Sequence, residues 1–405
     1  MLYQLYQSYS DALAPLQGMA AAFGHALEHS WAGFPESQWQ RGVRAVCELF
    51  ADGRLQHHRP AFGIDTVTVG NRNVAVREEA AWVRPFATLL HFAKDTPQPQ
   101  PKVLLVAPMS GHFATLLRGT VRTMLPEHDV YLTDWHNARD VPLSSGDFDF
   151  DDFIDHVIAF LERLGPGAHV VAVCQPAVAV LAAVALMAAD GNPCQPRSMT
   201  LMAGPIDTRI NPTKVDDLAM EHSIEWFAAN LIYHVPPGHP GSSRAVYPGF
   251  LQLSAFMAMN MERHVRAFAR QFEHLVEGDE KSATAHRAFY DEYFAVMDLP
   301  SSFYLQTVNR IFQKHELARG ALVSRGRIVQ PAAIRRTALL TVEGENDDIC
   351  SIGQTLAAQD LCTGLHPLRK HHHLQTGVGH YGVFSGRRWA GEVYPRLRTL
   401  IQSNN

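Results

Sequence analysis

Val170-Val171-Ala172-Val173-Cys174-Gln175-Pro176-Ala177 places a run of small and branched apolar residues directly before a thiol and opens a long Ala/Val/Leu stretch directly after it. A continuous apolar run of the first kind is a strand buried on both faces. The stretch from Ala177 to Ala189 is too short to cross a bilayer and reads as a buried helix. A strand that ends at a nucleophilic side chain and turns straight into a helix presents that side chain in a tight, strained turn. The helix behind it offers N–H groups and a positive dipole end that favour thiolate over thiol. The usual pattern around such a turn is small-x-nucleophile-x-small. Ala172 fits it, and Pro176 stands where glycine is usual, which a first helical turn tolerates because the missing N–H would have had no partner there. Cys174 is therefore the candidate nucleophile. Cys194 sits in a second Cys-Gln-Pro triplet, but with no strand before it and no helix after it, and reads as a loop cysteine.

Working outward, Val103-Leu104-Leu105-Val106 and Val130-Tyr131-Leu132-Thr133 repeat the buried-strand type, and Asp151 to Leu164 is a helix with an acidic start and a Gly165-Pro166-Gly167 stop. Ser198-Met199-Thr200-Leu201-Met202 and Thr337 to Val342 are two further strands. Strands alternating with helices predict a mostly parallel sheet with helices on both faces. Upstream, Thr66 to Val69, the Gly70-Asn71 turn, Val74 to Val76 and Phe86 to Phe92 read as added strands, and Thr96-Pro97-Gln98-Pro99-Gln100-Pro101 as an extended linker. Residues 1–50 form a helical extension, with Leu13, Leu16, Met19, Ala20 and Phe23 at helical spacing. The sheet domain spans 51–207 and 334–405. The interval 208–333, rich in helical patterning and in aromatic and methionine residues such as Phe250, Phe256, Met257, Met259, Met261, Tyr293, Phe294, Phe303 and Tyr304, reads as an inserted helical lid.

Composition narrows the partners. Of the 405 residues, 46% are hydrophobic and 19% charged, as in a folded chain, and the formal net charge of -5 gives no basic footprint for nucleic acid or anionic lipid. The N-terminus lacks a basic segment followed by an apolar run, so no secretory signal and no transmembrane segment are expected. Five widely spaced cysteines in such a chain read as free thiols.

A cysteine nucleophile needs a base and an acid to orient it. Thr341-Val342-Glu343-Gly344-Glu345-Asn346-Asp347-Asp348 supplies a strand, a glycine and then Asp347, with Asp348 as the alternative acid. His380, bracketed by glycines in Gly377-Val378-Gly379-His380-Tyr381-Gly382, completes the order nucleophile, acid, histidine. Ala107-Pro108-Met109-Ser110-Gly111-His112 follows the first central strand, where one oxyanion-hole N–H is expected from Met109, with Ser110 as the alternative; the second comes from Gln175. His371-His372-His373 are consecutive and point apart, with no second ligand group at recognisable spacing, so no metal is expected.

These segments together resemble the intracellular polyhydroxyalkanoate (polyhydroxybutyrate) depolymerases. The features that carry the resemblance are Ala107 to His112, Leu132-Thr133-Asp134-Trp135, Val173-Cys174-Gln175-Pro176, Val342 to Glu345 with Asp347-Asp348-Ile349, and Gly379-His380-Tyr381-Gly382, across roughly residues 60–400. The resemblance implies an α/β-hydrolase fold and a triad of Cys174, His380 and Asp347. It also implies cleavage of a storage polyester in the bacterial cytoplasm, at the granule surface, giving 3-hydroxybutyrate monomer or oligomers. It implies no bound cofactor and leaves open whether water or coenzyme A accepts the acyl group. The preferred side-chain length of the polymer and the oligomeric state are open too. Rival expectations are a polyhydroxyalkanoate synthase, against which Ala172 and Pro176 speak because synthases resemble a Gly-x-Cys-x-Gly form; a granule-coating protein without catalysis; and a hydrolase of small esters or thioesters.

Overall fold

The computed structural model describes residues 2–29, 37–96, 99–259 and 261–405. Pro97 and Gln98 of the expected linker lie outside them. Nine strands form one sheet: β1 (Thr66–Val69), β2 (Arg72–Arg84), β3 (Ala87–Lys94), β4 (Lys102–Val106), β5 (Asp129–Trp135), β6 (His169–Val173), β7 (Ser198–Met202), β8 (Ala338–Gly344) and β9 (Lys370–Gln375). Their spatial order is β1-β2-β3-β5-β4-β6-β7-β8-β9. Pairing is parallel from β5 to β9 and antiparallel from β1 through β3 to β5. β4, β6 and β7 sit in the middle, and their apolar residues are shut off from water, as continuous apolar strands require.

The helix Phe150–Leu164 follows its expected signals. Asp149 caps it through a reciprocal box with Asp152, and Gly165 ends it at a φ of 82. The helix Pro176–Ala189 is buried along nearly its whole length, which explains why it carries no polar face. β2 runs on from the expected Val74–Val76 to Arg84, through mostly exposed residues, and the His371-His372-His373 segment is the edge strand β9.

The connection from β7 to β8 carries helices Lys214–Glu221, Ile224–Leu231, Gly249–Met259, Met261–Glu277, Glu280–Tyr293 and Ser301–Thr307. It also holds a small sheet of Tyr233–His234, Ala245–Tyr247 and Leu299–Pro300 that the sequence reading did not anticipate. The N-terminal helices Leu2–His29 and Gln38–Asp52 pack on each other, and Tyr3 is anchored by a hydrogen bond from its hydroxyl to the buried carboxylate of Asp298 in the insertion. Leu16, Met19 and Phe23 face outward, each about half exposed, while Leu13 and Ala20 are partly covered. No described helix is long and apolar enough to cross a membrane.

Candidate active site

Cys174 stands between β6 and the helix Pro176–Ala189 with a φ of 65, a conformation a side chain with a Cβ adopts only under strain. The surroundings hold it there. Its N–H donates to the Met202 carbonyl at 2.8 Å, and its carbonyl accepts from Ala177 N–H at 3.0 Å. Gly204 passes so close behind the turn that a Cβ there would stand 2.2 Å from the Ala177 Cβ and 3.0 Å from the Cys174 carbonyl oxygen. Only glycine fits at 204. Pro176 occupies the first helical turn, as expected.

The acid and the base come from the ends of β8 and β9, and backbone hydrogen bonds lace their loops together. Glu345 N–H donates to the Gln375 carbonyl, Asn346 N–H to the Val378 carbonyl, and Gly377 N–H to the Glu345 carboxylate at 2.7 Å. Asp347 is buried, and its Oδ1 accepts from Ile349 N–H at 2.9 Å and Cys350 N–H at 2.8 Å. His380 Nδ1–H bonds the same carboxylate, at 2.8 Å from Oδ2 and 3.1 Å from Oδ1. Asp348, the neighbouring carboxylate, is exposed and forms no hydrogen bond with His380. Of the two acids the sequence offered, the fold brings Asp347 to the histidine.

Behind this loop lies a group the sequence reading passed over. Glu343, at the end of β8, is fully buried, and its carboxylate accepts N–H bonds from Gly353, Thr355 and Leu356 at 2.8 to 3.0 Å. A buried carboxylate is sustained by such bonds, and here they fix the segment that returns beneath Asp347. Thr355 in turn bonds Gly204, which ties the acid loop to the turn at Cys174. An acidic residue inside an apolar strand was the available signal.

His380 is also buried, is hydrogen-bonded to Asp347 and lines one cavity with Cys174. Burial alone would push the imidazole down. The neighbouring Cys174 and the hydrogen-bonded carboxylate of Asp347 outweigh it and hold the histidine well above its ordinary value. The imidazole therefore favours its charged form. Cys350 shows the contrast: burial and the nearby Asp347 push its thiol up, so it stays protonated. The described cysteines form no disulfide, and Cys194 lies in a turn.

Met109 and Gln175 line one cavity with Cys174 and His380, and neither backbone N–H donates to another described residue. The Met109 loop is itself fixed: Thr133 accepts from Ala107 N–H at 2.9 Å, the Ala107 carbonyl accepts from Trp135 Nε1 at 2.8 Å, and Met297 N–H donates to the Gly111 carbonyl at 2.9 Å. Ser110 lines the same cavity. His112 is buried there and donates through Nε2 to the Tyr293 carbonyl, and burial pushes its pKa down to about 4.

The cavity has a volume of about 660 Å³ and a mainly apolar wall drawn largely from the insertion, including Leu251, Phe256, Phe303, Tyr304 and Phe312. Of the aromatic residues singled out in the sequence, Phe256, Phe303 and Tyr304 line it. Phe250 and Phe294 instead build the packing of the insertion and the N-terminal helix, and Met261 is exposed. The side chain of Met259 lies outside the described residues.

A mostly parallel sheet whose strand ends bring together a strained cysteine, a buried acid and a histidine in that chain order defines the class: an α/β-hydrolase. A model of the PHB depolymerase C-terminus family matches residues 203–405, just over half of the chain. The chain belongs to the PHB depolymerase family and is a hydrolase acting on esters. Among solved structures it is similar to the 2-hydroxy-6-oxo-6-phenylhexa-2,4-dienoate hydrolase of Rhodococcus sp. strain RHA1, at 14% identity over 81% of this chain and 99% of that one, with a TM-score of 0.41. It is also similar to a thermophilic esterase from Thermogutta terrifontis, at 11% identity over 80% and 98%, with a TM-score of 0.41. No curated protein matches it in sequence.

Proposed function

We propose that the protein is an intracellular depolymerase of polyhydroxybutyrate or a related polyhydroxyalkanoate, working through a cysteine acyl-enzyme. The observation that carries this reading is the strained Cys174 sharing the wall of a large apolar cavity with a hydrogen-bonded His380–Asp347 pair. His380 holds the proton of Cys174, and the thiolate attacks the ester carbonyl. The N–H groups of Met109 and Gln175 receive the oxyanion, an effect worth roughly 10² to 10³ in rate per donor. The carbon–oxygen bond of the ester then breaks, His380 gives its proton to the departing hydroxyl, and a thioester remains on Cys174. Water, deprotonated by His380, attacks the thioester; the acid leaves, and the proton returns to the cysteine–histidine pair. Coenzyme A in place of water would take the acyl group as its thioester, 3-hydroxybutyryl-CoA where that group is a single unit. Asp347 orients His380 and stabilises its cation.

The insertion over 208–333 serves as the lid of this cavity. Its apolar wall suits a water-insoluble chain, and the outward Leu16, Met19 and Phe23 of the N-terminal helix suit the surface of a cytoplasmic granule. The test is to incubate amorphous polyhydroxybutyrate granules with the protein and with Cys174→Ala, with and without coenzyme A, and to identify released products by mass spectrometry. Wild type releases 3-hydroxybutyrate species and Cys174→Ala does not. Release by neither, with both still sedimenting with granules, would transfer the function to granule coating.

A further inference from the structure

Beyond His380 lies a second cavity, of about 400 Å³, with a different chemistry. It shares Phe256, Ile349, His380 and Tyr381 with the apolar cavity, so the two spaces meet at the base. The rest of its lining includes Arg263, Tyr293, Asn346 and Asp348. Arg263, in the first turn of the helix Met261–Glu277, forms no ion pair and no hydrogen bond with any described residue. It lies close enough to Tyr293 to oppose the upward push that burial and Tyr290 exert on that phenol. Asp348 acts instead on Tyr381, where burial, Tyr293 and Cys174 contribute more. Arg263 and Asp348 are both exposed at the rim of this cavity and form no ion pair with each other.

An acyl-enzyme reaction needs two spaces at one sulfur. The acyl chain fills one, and the departing alcohol leaves from the other, beside the group that protonates it. In a polyester of 3-hydroxy acids the departing alcohol carries, two carbon–carbon bonds from its hydroxyl, either the next ester or, at the end of the chain, a carboxylate. A guanidinium without a partner selects the carboxylate.

We propose that this second cavity is the leaving-group site, and that Arg263 binds the terminal carboxylate of the polyester, so that the enzyme removes one hydroxy acid at a time from the carboxyl end. The inference rests on the depolymerase reading above. In the step itself the last ester carbon–oxygen bond breaks, the acyl chain stays on the Cys174 sulfur in the apolar cavity, and the hydroxyl of the released hydroxy acid takes the His380 proton. Its carboxylate remains on Arg263 until it diffuses away and water enters along the same path.

The experiment uses a linear 3-hydroxybutyrate trimer deuterated in its carboxyl-terminal unit, as the free acid and as the methyl ester, with the full-length protein, Arg263→Gln and Arg263→Lys. The free acid is expected to be cleaved about tenfold more efficiently in kcat/KM than the methyl ester, with the first monomer carrying the label. Arg263→Gln brings that ratio to about one, and Arg263→Lys restores part of it. Equal cleavage of the two trimers by wild type, an unlabelled first monomer, or a preference that survives Arg263→Gln overturns the inference while leaving the depolymerase reading intact. Cleavage of neither trimer by any form overturns both.

Discussion

The loops at the ends of β6, β8 and β9 and the wall of the insertion meet at the same cavity but are built in opposite ways. The loops are held by directed polar bonds: Asp347, Glu343, Glu345 and Thr355 each accept or donate specific hydrogen bonds that leave one arrangement available. The insertion is held by aromatic packing, as in the stacked Tyr247 and Tyr304 or the cluster of Tyr290, Tyr293 and Phe294. Directed bonds fix atoms to fractions of an ångström, which bond-making needs. Apolar packing is tolerant of shape, which suits a flexible polymer. The difference teaches how the two parts would divide the proposed reaction, bond-making in the loops and substrate choice in the insertion.

That division can be broken at several points. The largest expected effect comes from Asp347→Asn, which keeps the shape but removes the charge that holds His380 as a cation; kcat should fall roughly 10³ to 10⁴-fold in steady-state ester hydrolysis, with KM little changed. Replacing Glu343 with Ala strands the buried N–H groups of Gly353, Thr355 and Leu356 and should cost ~3 kcal/mol in denaturant unfolding, with activity falling as the acid loop loosens. The same substitution in the insertion's apolar wall has a different signature: Phe312→Ala should raise KM for polymer about tenfold and leave kcat near wild type.

A pH series sharpens the contrast further. Burial pushes the imidazoles of His112, His128, His156 and His169 down to about 4. The folded chain holds them neutral, while the unfolded chain takes up protons below about 6.5. Stability should therefore be fully present above pH 6.5 and fall as the pH drops from there towards 4, by up to ~3 kcal/mol per histidine. Thermal melts across that window measure it, and His112→Gln should flatten the slope by one histidine's share.

How much of this was legible in the sequence follows the same division. Cys174 was readable because a strand, a turn and a helix are all local patterns, and His380 because its flanking glycines signal a sharp loop. The choice between Asp347 and Asp348 was not, since adjacent residues on one loop differ only in which way the backbone turns them. That turn is fixed by the Asp347 N–H bond to the Gly344 carbonyl and by the Ile349 and Cys350 N–H groups. β9 escaped notice because an edge strand needs little apolar alternation; His371 and His372 are exposed. The outer half of β2 is exposed in the same way. In the N-terminal helix the spacing of Leu16, Met19 and Phe23 announced a stripe, but periodicity does not say what covers it, and in this structure the stripe faces outward.

The central claim is that Cys174 carries the acyl group, and an acid quench followed by intact-protein and peptide mass spectrometry during turnover of a 3-hydroxybutyrate trimer tests it most directly. The account predicts an adduct of one or two hydroxybutyryl units on the peptide containing Cys174, removed by hydroxylamine and absent from Cys174→Ala, which should also lose all turnover. Turnover that persists in Cys174→Ala, with no adduct on that peptide in wild type, would contradict it.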